Sequence, residues 1–237
     1  MMTVSTPPSH IKPIWQLFPN AQQLAQQAAK DILQAAEKAI AKHGAFHIVL
    51  AGGTTPKAIY KLLSQASSDW QHWHIYLGDE RCLPIEHPER NSVMIQRCLL
   101  HAAPILAKNI HFIPAEQGPI AAAAAYQETI KPVTRFDMVL LGMGEDGHTA
   151  SLFPGNVHNR TQLVHPVLNS PKPPAERVSL SSGCLSNNEQ ILILITGRSK
   201  HLRILDWISG INMPVTAITS CHQASVYCDK AAWAGNT

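Results

Sequence analysis

The sequence predicts an α/β fold, a mostly parallel sheet with helices on both faces, built as a single domain over residues 1–237. Three observations carry this. Short apolar runs alternate with stretches of helical periodicity along most of the chain. Glycine-rich turns close several of those runs, as they do at the ligand-binding strand ends of open α/β sheets. A length of 237 residues with 45% hydrophobic content suffices for one sizeable core and makes a second full domain unnecessary.

Residues 1–19, with Pro7, Pro8, Pro13 and Pro19, read as an N-terminal extension packed on the domain or trailing it. From Asn20 to about His43, Leu24, Ala28, Ile32, Leu33, Ala36 and Ile40 recur at helical spacing. Asn20 and Gln23 suit a capping pair there, and Gly44 ends the helix. Phe46–Leu50 reads as a strand, and Ala51-Gly52-Gly53-Thr54-Thr55-Pro56 turns from it into a helix with Ile59, Leu62 and Leu63 on one face. Thr55 fits the N-cap and Pro56 the first helical position. Further strands are expected at Trp73–Leu77, Ile110–Ile113, Phe136–Leu141, Arg177–Leu180, Ile191–Ile195 and Val215–Ile218, with helices between most of them. Residues 156–176 are polar and hold Pro166, Pro171, Pro173 and Pro174, so they read as a long loop crossing the site.

Composition narrows the function. A formal charge of +3, 6% aromatic residues and no long basic block argue against nucleic acid and favour a small anionic ligand. No run of some 18 apolar residues predicts a membrane span, and no secretory signal is apparent. Five cysteines without a C-x-x-C pair suit reduced thiols in a cytoplasmic protein.

The most informative stretch is Phe136–Pro154, in which an apolar strand enters a turn containing Gly142, Gly144 and Gly147 and presenting His148. These glycines can adopt positive φ or let backbone approach a ligand, and Thr149, Ala150 and Ser151 can open a helix. The Gly52-Gly53-Thr54-Thr55 turn suits a phosphate or carboxylate, because helix-terminal N–H groups lack intrahelical partners. It lacks a P-loop lysine. Asp79-Glu80-Arg81 follows another strand, where Arg81 can hold negative charge and a solvated charged turn is the alternative. Lys200, after Ile191–Ile195, stands in a first helical turn and so opposes the dipole, a cost that a bound anion explains. Arg177 can reach the same anion. Gly142, Gly144 and Gly147 also spell G-x-G-x-x-G, yet no acidic residue stands near the ribose position about 20 residues on, so no dinucleotide cofactor is expected. Scattered histidines predict no metal, and no G-x-S-x-G elbow supports a serine nucleophile. Together the parts describe His148 as a water-activating base, next to Asp146, beside a phosphorylated substrate.

These residues resemble the 6-phosphogluconolactonases, whose Rossmann-like fold is shared with the glucosamine-6-phosphate deaminases. The resemblance runs through AGGTTP at Ala51–Pro56, GDER at Gly78–Arg81, HPERN at His87–Asn91, LLGMGEDGHTASLFPG at Leu140–Gly155, SPKPPAERVSL at Ser170–Leu180 and TGRSK at Thr196–Lys200. It implies hydrolysis of 6-phospho-D-glucono-1,5-lactone to 6-phospho-D-gluconate in the oxidative pentose phosphate pathway. His148 would be the general base, with Gly52, Gly53, Thr54, Thr55 and Lys200 cradling the 6-phosphate and Arg81 and Arg177 lining the site. Asp146 either orients His148 or stabilises its own turn. A phosphorylated sugar lactone is then the partner, with a functional link to glucose-6-phosphate dehydrogenase. Thr54 and Arg90 stand where serine is usual in that family. The deaminases are the alternative, but they carry tyrosine in place of Arg81 and an acidic stretch in place of Ser151-Leu152-Phe153-Pro154. A non-catalytic sugar-phosphate binder is a third reading.

Overall fold

The computed structural model describes residues 12–156, 159–219 and 224–235. Part of the expected N-terminal extension, residues 1–11, lies outside the described residues, as do Cys221 and His222.

Seven strands form the main, parallel sheet: β1 (Ile14–Phe18), β2 (Phe46–Leu50), β3 (Trp73–Leu77), β5 (Ile110–His111), β6 (Phe136–Gly142), β9 (Asn188–Ile195) and β10 (Ala224–Asp229). Their order across it is β1-β10-β9-β6-β2-β3-β5. A second, antiparallel sheet places β8 (Arg177–Leu180) between β4 (Asp79–Arg81) and β7 (Val164–Val167). The mostly parallel α/β expectation therefore holds.

Alternation of strand and helix explains the parallel pairing, since each crossover must carry the chain back along the sheet. Helix α1 (Ala21–His43) buries Leu24, Ala28, Ile32 and Ala36 along one stripe. Its cap is as expected: the Asn20 side chain accepts from the Gln23 N–H at 2.9 Å, and Gly44 closes it at φ 84°, a left-handed position that glycine occupies without steric cost. Helix α2 (Thr54–Leu63) starts two residues earlier than expected, with Gly53 rather than Thr55 at the cap. The later helices are α3 (Asn91–Ile95), α4 (Pro119–Ile130), α5 (Ser182–Ser186), α6 (His201–Ile208), α7 (Pro214–Thr219) and α8 (Lys230–Ala234).

Three other expectations are corrected. Val215–Ile218 belongs to α7: Pro214 suits a first turn, and Val215, Ile218 and Thr219 are buried at helical spacing. The strand follows instead as β10, which pairs with β1, so residues 14–18 pack on the domain as a sheet edge. The proline-rich loop contains β7. Thr149-Ala150-Ser151 opens no helix; Thr149 and Leu152 form an isolated bridge around a tight turn with Ala150 at φ 48°.

Strand order fixes the site. Strand β2 connects toward β3 on one side while β6 leads to β9 on the other, so the chain changes direction between β2 and β6. Loops leaving the carboxyl ends of such neighbours diverge and open a crevice. Two tyrosines secure the strand ends beside it. Tyr60 Oη donates to Ala51 O at 2.8 Å and accepts from Ala51 N at 3.0 Å, and Tyr126 Oη does the same for Leu77 at 3.1 and 2.9 Å. Burial raises the pKa of both hydroxyls, so both stay protonated.

Candidate active site

A cleft of about 340 Å³ occupies that crevice. Its walls include Gly52 and Gly53 after β2, Asp79 and Arg81 of β4, the Gly142–His148 turn after β6, Arg177 of β8, and Lys200 after β9. Residues separated widely in sequence thus meet at one edge of the sheet.

The turn after β6 is built around its histidine. Gly144 N–H donates to His148 O at 2.8 Å and Gly147 N–H to Gly144 O at 3.1 Å, folding the segment into a tight loop. Gly147 takes φ 84°, as the sequence suggests, whereas Gly144 is needed for space: a Cβ there would lie 2.0 Å from His148 Nδ1. Gly142 ends β6, and its carbonyl accepts from Thr149 Oγ1 at 2.7 Å. Asp146 Oδ1 accepts from the backbone N–H of His148 at 3.2 Å and forms a short hydrogen bond with His148 Nδ1. It therefore both shapes the turn and orients the ring. A carboxylate on Nδ1 keeps the proton there and leaves Nε2 as the acceptor.

Phe153 packs on the imidazole at 4.7 Å between ring centroids. Burial lowers the His148 pKa, the Asp146 hydrogen bond and charge raise it, Lys172 lowers it and Asp79 raises it; the net is below the ordinary value. For Asp146, burial acts upward but the His148 hydrogen bond and charge, then Lys172, hold the carboxyl below its ordinary range. At neutral pH this is a neutral imidazole backed by a carboxylate, an arrangement able to remove a proton from water.

Cations surround the pair. Lys200 caps α6, and burial, offset by Glu145 and reinforced by Lys172, lowers its pKa. Arg81 lies directly opposite Arg177 across the β4–β8 ladder, where like charges repel unless something anionic or polar intervenes. Arg81 Nη1 donates to Glu89 O, and its buried Nε has no hydrogen-bond partner among the described residues. Arg177 donates to the carbonyls of Pro174, Lys172 and Pro173 at 3.1, 3.2 and 2.8 Å. Its guanidinium thus ties down the proline-rich segment as well as facing the cleft.

Thr54 and Thr55 are not brought into the lining. Thr54 is exposed in the first turn of α2, and the Thr55 hydroxyl shares a 2.6 Å hydrogen bond with that of Thr196. Three polar lining residues were given no role of their own by the sequence, Glu145, Asn91 and Lys172, while Asp79, part of the expected charged cluster, lines the cleft too. Lys172 Nζ lies 3.8 Å from Asp146 Oδ1. Asp79 is buried, accepting from Ser151 Oγ at 2.6 Å and Asn91 Nδ2 at 3.1 Å. The motifs containing all three were visible, but nothing local distinguishes them from charged or amide turn residues. Among the described residues no cluster of histidine, cysteine or acidic side chains could hold a metal ion, and no helix is long and apolar enough to cross a membrane.

A crevice at a strand switch point, with one oriented histidine and several cations, is the layout of an α/β enzyme acting on a small anion. Residues 19–228 match the family model described as glucosamine-6-phosphate isomerases/6-phosphogluconolactonase, and the chain belongs to that family. It is 33% identical over 211 residues to the 6-phosphogluconolactonase of Mycobacterium tuberculosis, covering 82% of this chain and 85% of that protein. It is 37% identical over 194 residues to the human GDH/6PGL endoplasmic bifunctional protein, covering 76% of this chain and 24% of the relative, so it spans about a quarter of that relative's length. The crystal structure of 6-phosphogluconolactonase from Thermotoga maritima superposes with a TM-score of 0.86 at 28% identity, over 92% of this chain and 100% of that one.

Proposed function

We propose that the protein hydrolyses 6-phospho-D-glucono-1,5-lactone to 6-phospho-D-gluconate, a carboxylic ester hydrolysis. The observation carrying this reading is the Asp146–His148 pair, with Nε2 free to accept, in the same cleft as Lys200 and the Gly52-Gly53 turn. The 6-phosphate is held by Lys200 and backbone N–H groups at the start of α2. That anchoring sets the lactone carbonyl near His148. Water attacks C1 as Nε2 takes its proton, and negative charge develops on the carbonyl oxygen. Arg81, which lines the cleft, or the turn N–H groups stabilise it. The C1–O5 bond then breaks and the imidazolium returns its proton to O5.

The relatives named 6-phosphogluconolactonase support the substrate. Leu152 and Phe153 are buried where the deaminase alternative called for an acidic stretch, which supports the lactonase branch. A bifunctional relative joining GDH and 6PGL in one protein supports a functional link to glucose-6-phosphate dehydrogenase, whose oxidation at C1 generates the lactone. We place the reaction in the cytoplasm, in keeping with the unpaired thiols of Cys82, Cys98, Cys184 and Cys228.

The test is consumption of freshly made lactone at neutral pH, corrected for spontaneous hydrolysis, with ammonia release from glucosamine 6-phosphate followed in parallel. The expected result is lactone loss that His148→Ala lowers by ~10²–10⁴ in kcat, the usual contribution of a general base. Ammonia release would move the protein to the deaminase branch. Ligand-induced thermal stabilisation without either reaction would make it a binding protein.

A further inference from the structure

The Arg90-Asn91 turn has no role in the mechanism above, yet its side chains are among the most buried polar groups of the protein. Glu80 is fully buried and acts as the hub. Its carboxylate accepts from the backbone N–H groups of Arg81, Asn91 and Ser92, each at 2.8 Å. The last two begin α3, so Glu80 satisfies donors that a helix start leaves open. Arg90 compensates the buried charge: its Nε lies 3.5 Å from Glu80 Oε2, its Nη1 3.0 Å from Glu116 Oε2, and its Nη2 donates to Ile113 O at 3.1 Å. One carboxylate therefore fixes the backbone of Arg81 and of Asn91 together.

Asn91 is 4% exposed and lines the cleft. Its Nδ2 donates to Asp79 O at 2.9 Å and to Asp79 Oδ1 at 3.1 Å. Both partners are acceptors, so a flipped amide would set oxygen against oxygen, and the orientation is determined. Oδ1 is left facing Gly52, where a Cβ would come within 2.1 Å of it. Gly52 thus makes room for this carboxamide as well as shaping the phosphate turn. Oδ1 accepts no hydrogen bond from the described residues, and Asn91 stands in the wall of the cleft, so this acceptor is available to a ligand there.

We propose that Asn91 Oδ1 accepts a hydrogen bond from a hydroxyl of the bound sugar lactone and so sets specificity for a hydroxylated substrate. The assignment rests on the lactonase reading for its substrate. An amide oxygen is chemically suited to this role, since it accepts without charge, whereas an ionised carboxylate would repel the phosphate. A site built to pair with a substrate hydroxyl also discriminates against the analogue lacking it, because the acceptor then loses its partner in the bound complex.

The experiment compares wild type, Asn91→Ala and Asn91→Ser on 6-phosphogluconolactone and its 2-, 3- and 4-deoxy analogues. Wild type should lose about tenfold in kcat/KM on one deoxy lactone, the scale of a single neutral hydrogen bond. Both variants should be slower on the parent lactone by a similar factor and treat that deoxy analogue like the parent. A merely structural role would slow all four lactones alike, and variants that keep the wild-type preference among them would overturn the proposal. Calorimetric binding of 6-phosphogluconate and its deoxy analogues to the same proteins reads the same pairing without turnover. If wild type hydrolyses no lactone but the variants lose hydroxyl discrimination in binding, the lactonase reading fails and Asn91 keeps its role; equal discrimination in all three proteins removes the role.

Discussion

Replacing Asp146 with asparagine tests the proposed base directly, since the exchange changes charge and donor pattern with little change in shape. In the native protein Asp146 Oδ1 engages both the backbone N–H and Nδ1 of His148, and Lys172 stands 3.8 Å away. The neutral amide of Asp146→Asn would no longer offset the imidazolium charge formed as water is deprotonated. A hydrogen bond to a charged group contributes ~1.5–3 kcal/mol, so kcat should fall roughly 10- to 150-fold at ~1.36 kcal/mol per decade. KM should change little, because Asp146 lies outside the phosphate anchor. The pH profile supplies an independent check. His148 is active when neutral, so activity is lost as pH falls through its pKa, which burial sets below 6.5 despite the opposing pull of Asp146. Removing that carboxylate leaves burial and Lys172 acting downward, with only the weaker Asp79 contribution upward, and the acid limb should move to lower pH. Initial rates from about pH 4.5 to 8, a window spanning the ordinary histidine range, give both quantities. An acid limb that stays put or moves upward, or a kcat within twofold of wild type, would refute the assigned roles.

Gly144→Ala places a methyl 2.0 Å from the native position of His148 Nδ1; kcat should fall at least tenfold, a displacement cost on the scale of ~1.4 kcal/mol, while circular dichroism stays native. Tyr60→Phe strands the buried N–H and C=O of Ala51, which should cost ~1–3 kcal/mol in urea unfolding; an unchanged midpoint would show that water or a shift of the chain replaces the hydroxyl. At the far end of the β2 and β3 strands, His47 stacks on His74 at 4.5 Å, and burial followed by the charge of His74 lowers its pKa from 6.5 to about 4. Because the unfolded state takes up the proton first, thermal stability should be full above pH 6.5 and decline as pH falls toward 4, and His47→Gln should flatten that slope.

What the sequence made legible was local. Runs such as Met138–Leu141 are buried on both faces of the sheet and so read as unbroken apolar strands, and glycines after them announce the turns. Strand β1 sits at an edge with its residues half-exposed, which leaves no clean period to detect. Val215–Ile218 has strand-like composition, and only the proline before it and the packing of one face make it helical. Within the site, His148, Arg81, Arg177 and Lys200 were identifiable because each follows or begins a strand-end motif. Lys172 and Asn91 were not, because their placement depends on contacts across the chain: Arg177 holds the Lys172 carbonyl, and Glu80 holds the Asn91 backbone N–H. Similar contacts hold Arg90, which pairs with Glu80 and Glu116 and does not line the cleft.

The charge balance of the cleft links these features to the proposed reaction. Arg81, Lys172, Arg177 and Lys200 all line it, four cations against the carboxylates of Asp79 and Glu145, and Asp79 is engaged by Ser151 and Asn91. The two guanidiniums opposite one another on neighbouring strands repel, an effect that Asp79 and Glu89 offset at Arg177, and the remaining excess of lining cations suits an anion. Lactone hydrolysis creates a carboxylate and releases a proton, so the product is more anionic than the substrate. A cleft positive enough to seat the phosphate therefore favours the product still more. Screening by salt should weaken product binding more than substrate binding, because the product adds one further charge to be screened. Moderate salt should accordingly raise turnover wherever product release is limiting, whereas a purely geometric site would show no such difference between the two ligands.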